Sequence, residues 1–262
     1  MKYIGIRGHR GAGKNSISRL LGLALQYYKD NNCFDEGFDK RYDELCSNLV
    51  KDKEYYNEVW FNNVYFDNFS DNLKVIISQM FNVDVNLLFT DEFKDNKYIN
   101  LKDFKIYNLA NIDKSQTTTY KKLFEKRLNE LDVETSPRVF KDDIYMSFRE
   151  FVMYMGWMFQ SFLGKNIWVK LIKLNDLQID EFYNNIKYRI YCDVKSPSEI
   201  SYIKEKQGLI VKLYRPDNIK KDTDVSQLID YDNRVDFTID INGSLEDVKE
   251  QIKKLTIYIY EN

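Results

Sequence analysis

The sequence is most informative near its start, where it reads Gly8-His9-Arg10-Gly11-Ala12-Gly13-Lys14-Asn15-Ser16. An apolar run, residues 3–6, precedes this stretch, and a leucine-rich run, residues 17–25, follows it. That order predicts a strand, a glycine-rich turn and a helix. Because glycine has no Cβ, the backbone N–H groups of such a turn can close around a phosphate, and the helix N-terminus adds the positive end of its dipole. We therefore interpret the stretch as a phosphate-binding loop in which Lys14 reaches the outer phosphates.

The loop departs from the usual pattern at one position. A phosphate-binding loop commonly has a glycine, four residues, and then Gly-Lys followed at once by serine or threonine. Here Asn15 follows Lys14, and the hydroxyl stands one residue later, at Ser16. The alternative interpretation is a glycine-rich strand-to-helix turn with a chance lysine. The strand and the helix that flank the stretch favour the phosphate-binding loop.

Composition narrows the class of protein. The chain has 262 residues, 44% hydrophobic and 31% charged, which predicts one large globular domain or a core domain with an inserted lobe. The net charge is −2, so no overall field favours nucleic acid as a partner. Cys33, Cys46 and Cys192 have no Cys-x-x-Cys spacing, so neither a zinc site nor a disulfide framework is indicated. A cytoplasmic location is the expectation that follows.

Other features exclude further classes. His9 is the single histidine, so Ser-His-Asp and Cys-His catalysis are hard to build. Phosphoryl transfer needs no histidine, because it relies on positioning and on charge neutralisation by Lys, Arg and Mg²⁺. The longest apolar stretch, residues 148–163, is interrupted by Arg149 and Glu150 and is too short and too polar for a membrane span. The N-terminus begins directly with the predicted strand, so we expect no signal peptide and no membrane partner.

Strand and helix patterns alternate at both ends of the chain. Strands are predicted at residues 2–7, 59–67, 186–193, 209–214 and 235–241, and helices at 13–29, 69–81, 143–163, 165–177 and after the capping boxes that begin at Ser196 and Ser244. This alternation predicts an α/β fold in three layers, a parallel sheet with helices on both faces. Residues 1–83 and 144–262 form its core, and the irregular residues 84–143 form an inserted lobe or lid.

Three candidate site segments directly follow predicted strands, namely the glycine-rich loop, Asp193 and Arg215. Because the carboxyl ends of parallel strands meet at one edge of a sheet, one crevice could hold all three. Two more cations stand on predicted helices, Lys74 in the first turns of one and Arg149 near the start of the most apolar one. On position alone, a surface lysine and a surface arginine are the alternatives.

The order of these motifs resembles that of the bacteriophage deoxynucleoside monophosphate kinases, which are adenylate-kinase-like P-loop enzymes. Such kinases commonly have Gly-Lys-x-Thr in the loop, the version that Lys14-Asn15-Ser16 resembles. The other segments that carry the resemblance are residues 69–74, Arg149-Glu150, Gly156, Trp168-Val169, Asp193-Val194-Lys195, Glu199, Gly208, Arg215-Pro216 and residues 240–247. The resemblance covers both ends of the chain but hardly residues 84–140.

The resemblance implies a P-loop kinase fold and transfer of the γ-phosphoryl group of ATP, with Mg²⁺, to a deoxynucleoside monophosphate. Residues 8–16 would bind the ATP phosphates, and Arg215 would line the adenine or the phosphates. Ser16 and Asp193 would lie at the Mg²⁺ ion or its waters. The candidates for catalysis are Lys14, Asp193 and Arg149, and the candidates for binding the acceptor are Lys74, Arg138, Arg149 and Lys195.

The chain departs from the family around the expected acceptor site. Lys195 stands where the family usually has arginine, and lysine cannot offer the bidentate fork of a guanidinium group. Met153 and Trp157 also differ from the residues common in the family. Two other functions therefore stay open: another small-molecule kinase, such as one acting on dephospho-coenzyme A, and a nucleotide-binding regulatory protein without catalysis. A homodimer is also left open.

Overall fold

The computed structural model describes residues 1–9, 11–51, 60–119, 122, 143–182, 184–215 and 234–261. The chain divides into two compact units. The first comprises Met1–Phe69 and Val169–Asn262, and the second comprises Ser70–Trp168. The second unit is therefore an insertion between the two parts of the chain that build the first. The predicted limits of the inserted lobe, residues 84–143, stay a prediction.

The described elements follow one another along the chain. The strands are β1 (Lys2–Arg7), β2 (Val64–Asp67), β3 (Lys97–Asn100), β4 (Ile106–Asn108), β5 (Thr117–Thr118), β6 (Tyr145–Ser147), β7 (Tyr188–Tyr191), β8 (Leu209–Tyr214) and β9 (Phe237–Asp240). The α-helices are α1 (Lys14–Asn31), α2 (Glu36–Lys51), α3 (Asp71–Phe81), α4 (Asp91–Asn96), α5 (Phe148–Leu163), α6 (Ile167–Phe182), α7 (Pro197–Glu205) and α8 (Leu245–Glu261). In the part of the chain that the structure describes, no helix is long and apolar enough to cross a membrane.

The first unit is built on a parallel sheet of five strands in the order β2-β7-β1-β8-β9. Strand β1 lies in the middle, and its Ile4 pairs with Ile190 of β7 and Leu209 of β8. The chain leaves β1 toward β2 on one side of the sheet and leaves β8 toward β9 on the other. In open α/β sheets, ligands bind at the carboxyl ends of the strands where the chain diverges in this way, which here are the ends of β1 and β8.

Helices cover both faces of this sheet. On one face, side chains of α1, α2 and α8 enclose the main hydrophobic core, to which β1 contributes the fully buried Ile6. On the other face α7 packs tightly on β1, since a Cβ atom at Gly5 would lie 2.5 Å from the Ile203 side chain. Tyr191, on the same face, donates a hydrogen bond of 3.1 Å to Asp176 of α6. The expected α/β fold, a parallel sheet with helices on both faces, is confirmed.

The helix predicted at residues 143–163 begins later than expected. Tyr145–Ser147 is strand β6, and α5 begins at Phe148. The Ser147 hydroxyl accepts a hydrogen bond of 3.2 Å from the backbone N–H of Glu150, and this N-cap separates the strand from the helix. The apolar residues of α5 are not buried along its whole length, because Phe162 near its end is 76% exposed.

The second unit has a sheet of its own, in the order β4-β3-β6-β5. Strand β3 is antiparallel to β4 and β6, and β5 is parallel to β6. The same unit contains an aromatic cluster. The ring centre of Phe148 lies 5.1 Å from that of Phe93 and 6.1 Å from that of Phe81. Helices α3 and α5 approach closely, because a Cβ at Gly156 would lie 3.2 Å from Leu73. Residues 84–119, irregular in sequence, thus contain short strands.

Candidate phosphate-binding site

The loop between β1 and α1 has the backbone conformation of a glycine turn. Gly11 and Gly13 have φ values of 80° and 72°, in the left-handed region that side chains with a Cβ rarely adopt. A Cβ at either position would meet open space, so glycine is required for conformation rather than for packing. The N–H of Ala12 donates to His9 O at 3.1 Å, and that of Ile17 donates to Gly13 O at 2.9 Å, which starts α1.

Strand β8 supports the loop at two points. A Cβ at Gly8 would lie 3.1 Å from Leu213 Cβ and 3.2 Å from Leu213 O, so glycine lets the loop leave β1 directly beside β8. Arg215 follows β8 and donates a hydrogen bond from Nη1 to Gly11 O at 3.4 Å. Arg215 therefore contacts the backbone of the loop, and its role toward ATP stays a prediction.

Lys14, the first residue of α1, folds back into the loop. Its Nζ donates to Gly8 O at 2.7 Å and to His9 O at 2.9 Å, and it lies 3.5 Å from Asp193 Oδ1. The Lys14 side chain is only 11% exposed. Ser16 lies two residues further along the same helix turn and is partly buried. The ammonium group is therefore held at the loop by two carbonyl oxygens and one carboxylate.

Asp193 follows β7 and is fixed through the backbone on both sides. The N–H of Cys192 donates to Asp67 O of β2 at 3.0 Å, and the N–H of Val194 donates to Ile6 O of β1 at 2.9 Å. Burial opposes ionisation of the Asp193 carboxyl, but the ammonium groups of Lys195 and Lys14 outweigh it and hold its pKa below the usual range. Asp193 is therefore a carboxylate at neutral pH.

Lys195 joins the same cluster. Its Nζ lies 3.1 Å from Asp193 Oδ2, so the carboxylate has one ammonium group at each oxygen. The backbone N–H of Lys195 donates to Glu199 Oε2 at 2.6 Å, and that of Ser196 donates to the same atom at 2.9 Å. The predicted capping box of Ser196 and Glu199 at the start of α7 is confirmed. Burial raises the pKa of Glu199 to about 7, although both N–H donors favour the charged form.

Lys74 belongs to the second unit and has a carboxylate partner on its own helix. Its Nζ lies 2.8 Å from Asp71 Oδ1, one turn earlier in α3. The ammonium group also lies 4.0 Å from the centre of the Phe89 ring, within the range of a cation–π interaction. The side chain is 18% exposed, so Lys74 is not the freely solvated surface lysine of the alternative interpretation.

Arg149, in the first turn of α5, also belongs to the second unit. Its Nε donates to Asp95 Oδ1 at 2.6 Å and its Nη2 donates to Asp95 Oδ2 at 3.1 Å, which is the bidentate geometry of an Arg–carboxylate pair. The Arg149 side chain is 21% exposed and that of Asp95 is 57% exposed. The guanidinium group therefore binds a planar anionic group that lies at the surface of α4.

The structure brings together part of the predicted site. Lys14, Asp193 and Lys195 form one cluster in the first unit, and Arg215 contacts the loop beside them. Lys74 and Arg149 lie in the second unit. The predicted loop residue Arg10 and the predicted acceptor residue Arg138 lie outside the described residues.

Three carboxylates contact these cations or their backbone, and no sequence pattern predicts these contacts. Asp71 and Asp95 stand in polar stretches without periodicity, so no pattern marked them as partners of Lys74 and Arg149. Glu199 was identified as a helix cap, but its bond to Lys195 could not be inferred from the spacing. Among the residues that the structure describes, no group of three or more His, Cys, Asp or Glu side chains could hold a metal ion by itself.

Comparison with known proteins adds no family to this description. No protein-family model matches the chain, and no curated protein sequence matches it significantly.

Proposed function

We propose that this chain is a nucleotide kinase that transfers the γ-phosphoryl group of ATP to a deoxynucleoside monophosphate. The observation that carries the proposal is the arrangement at the carboxyl edge of the parallel sheet. A loop with two left-handed glycines leads into α1, and its lysine lies 3.5 Å from a carboxylate that follows the neighbouring strand. Phosphoryl transfer needs these parts: a backbone cradle, a cation and a carboxylate for the metal.

The loop residues have separate tasks in the proposed reaction. The open backbone at Gly11 and Gly13 leaves room for phosphate oxygens beside the N–H groups and the N-terminus of α1. Lys14 exchanges its bonds to Gly8 O and His9 O for bonds to the outer phosphates. Arg215, anchored at Gly11, adds a positive charge at the same edge. The four groups together orient the donor and neutralise charge that develops during transfer.

The residues present fit a Mg²⁺ ion. Magnesium prefers hard oxygen ligands and is usually held by one or two carboxylates together with substrate phosphates and waters. Asp193 Oδ1 is buried and lies 3.5 Å from the Lys14 ammonium group, and the lowered pKa of Asp193 keeps it charged. The Ser16 hydroxyl would supply a second oxygen. When bound, the ion would neutralise charge on the transferred phosphoryl group.

The second unit supplies the candidates for holding the acceptor. Arg149 already binds a planar anionic group in bidentate fashion, and a phosphate presents oxygens with the same geometry. Lys74 pairs with Asp71 in the same unit. We propose that both cations bind the phosphate of the deoxynucleoside monophosphate. This step rests on the resemblance of the sequence to phage deoxynucleoside monophosphate kinases.

A panel assay tests the proposal. Purified protein is incubated with ATP and Mg²⁺ and each of the four deoxynucleoside monophosphates, and nucleoside diphosphate is measured by chromatography. Dephospho-coenzyme A is included in the same panel, because the described donor site does not distinguish acceptors. We expect diphosphate from at least one deoxynucleoside monophosphate. Formation of no diphosphate from any of the four would contradict the proposal. Product from dephospho-coenzyme A alone would instead support the other small-molecule kinase.

One observation favours a second candidate, a nucleotide-binding regulatory protein without transferase activity. Lys195 places an ammonium group 3.1 Å from Asp193 Oδ2, which neutralises part of the charge that a metal ion would use. Isothermal titration calorimetry with ATP separates the two candidates. Tight ATP binding with no product from any acceptor would favour the regulatory protein.

A further inference from the structure

The segment that carries Asp193 and Lys195 is a short connection between β7 and α7. On its first side it is fixed to the sheet, because Val194 donates its backbone N–H to Ile6 O of β1 at 2.9 Å. On its second side the contact is with a side chain. Glu199 Oε2 accepts the backbone N–H groups of Lys195 and Ser196 at 2.6 and 2.9 Å. The position of Lys195 within the cluster therefore depends on one glutamate of α7.

Glu199 makes more contacts than a helix cap requires. A capping box needs one bond from the acidic side chain to the backbone N–H of the cap residue, which is Ser196 here. The second bond, from Lys195, reaches one residue further toward the cluster. The side chain of Lys195 then turns back to Asp193, with 3.1 Å between Nζ and Oδ2. A chain of contacts thus runs from Glu199 through Lys195 to Asp193 and on to Lys14.

A second capping box in the same unit shows what capping alone looks like. Asp247 accepts the backbone N–H of Ser244 at 2.8 Å, and the Ser244 hydroxyl accepts the N–H of Asp247 at 3.1 Å. Both residues are exposed, whereas Glu199 is only 7% exposed. Burying a carboxyl group is unfavourable, and the capping carboxyl group of α8 stays exposed. Capping therefore does not explain why Glu199 is buried.

We propose that Glu199 is a positioning residue of the phosphoryl-transfer site. It fixes the backbone at Lys195 and thereby holds the Lys195 ammonium group at Asp193 Oδ2, so that the carboxylate keeps its other oxygen toward Lys14. The inference rests on the proposed function, because it assigns Asp193 and Lys14 to the transfer step. It adds a residue that does not contact the substrates.

Three variants test this role: E199A, E199Q and the control D247A. E199A removes both acceptor bonds and leaves Lys195 free to move, so we expect kcat to fall about 10- to 100-fold with the KM for ATP changed less than about threefold. E199Q keeps an acceptor oxygen at the same place and should retain kcat within about threefold. D247A removes the corresponding cap of α8 and should lower the melting temperature without lowering kcat. Equal kcat values in E199A and D247A, or no rescue by E199Q, would overturn the inference.

A binding measurement keeps this inference separate from the proposed reaction. The affinity for ATP is measured by calorimetry with and without Mg²⁺ for the wild type, E199A and D247A. Because Asp193 is the proposed metal carboxylate, E199A should lose most of the Mg²⁺ enhancement of ATP affinity, and D247A should keep it. If the wild type transfers no phosphate to any acceptor, the proposed function fails and this measurement alone decides the role of Glu199. The same Mg²⁺ effect in E199A and the wild type, whether large or absent, would refute it.

Discussion

The two units of the molecule hold their candidate cations in different ways. In the first unit, Lys14 is bound by two backbone carbonyls of the loop and lies 3.5 Å from Asp193, whose own backbone is fixed to the sheet. In the second unit, Lys74 and Arg149 each pair with one carboxylate, Asp71 and Asp95. The first arrangement is set by strands and the second by side-chain pairs.

This difference has a consequence for binding. Backbone groups at strand ends are pre-organised, so a phosphate that enters the loop finds its ligands already in place. A partly exposed ion pair contributes little free energy, and an anionic ligand can replace its carboxylate. We therefore expect changes in the first unit to affect catalysis and folding, and changes in the second unit to affect the affinity for the acceptor.

The largest effect is expected at Lys14. Lys14→Ala removes the only described ammonium group that contacts the loop carbonyls, and we expect kcat to fall at least about 1,000-fold, the scale on which transition-state charge stabilisation acts. Diphosphate formation and thermal unfolding are measured together. Lys29→Ala, an exposed position in the last turn of the same helix, is the matched control and should keep full activity. Retention of a tenth of the activity by Lys14→Ala would contradict the assignment.

The next effect concerns folding of the first unit and comes from Glu199. Burial raises the pKa of Glu199 from its ordinary value of 4.5 to about 7, so the folded chain binds this proton more tightly than the unfolded chain. The stabilisation is complete below pH 4.5 and is lost as the pH rises through 7. The loss of free energy of unfolding between pH 5 and pH 8 amounts to about 2 to 3 kcal/mol.

Denaturant unfolding of the wild type and Glu199→Gln at several pH values measures this contribution. The variant cannot titrate at this position, so the free energy of unfolding of the wild type relative to the variant should decrease from pH 5 to pH 8. Asp193 does not interfere, because its pKa lies below this window. A constant difference across the window would show that Glu199 does not carry the effect.

Arg149 tests the other side of the comparison. Arg149→Ala removes the bidentate donor of the second unit, and we expect the KM for the acceptor to rise about 30-fold, in line with about 2 kcal/mol for a hydrogen bond to a charged group. The KM for ATP should stay within about twofold. Arg149→Lys separates charge from geometry and should recover only part of the affinity. An effect on the KM for ATP as large as that on the acceptor would contradict the division between the units.

The first unit could be predicted from the sequence because its signals are local. Strand β1, the loop and α1 follow from an apolar run, glycines and a leucine-rich run, and the box at Ser196 marks α7 directly. Asp193 could be predicted as a site residue because it directly follows a buried strand, and the carboxyl ends of parallel strands lie at one edge of the sheet. The contact between Lys195 and Asp193 was not predicted, because it depends on how the chain turns after β7.

The second unit was harder to predict from the sequence, and the reason is physical. Its strands have two to four residues, too few for a period of two to stand out from the surrounding polar sequence. Residues 145–147 were predicted as helix because they adjoin the apolar pattern of α5, and only pairing with β3 makes them a strand. The partner of Arg149 lies 54 residues away in sequence, and no local rule connects the two.

The smallest effect, and the one opposite in sign, is expected at Asp95. If an acceptor phosphate replaces the Asp95 carboxylate on Arg149, then Asp95→Asn removes a competing charge, and the KM for the acceptor should fall about threefold, equivalent to less than 1 kcal/mol. Asp103→Asn is the matched control, since Asp103 is a carboxylate of the same unit that contacts Lys105 and not Arg149. Unchanged KM values for both variants would mean that Arg149 and Asp95 form a structural pair. A rise in the KM for the acceptor in Asp95→Asn would mean that the Asp95 carboxylate positions Arg149 for the acceptor instead of competing with it.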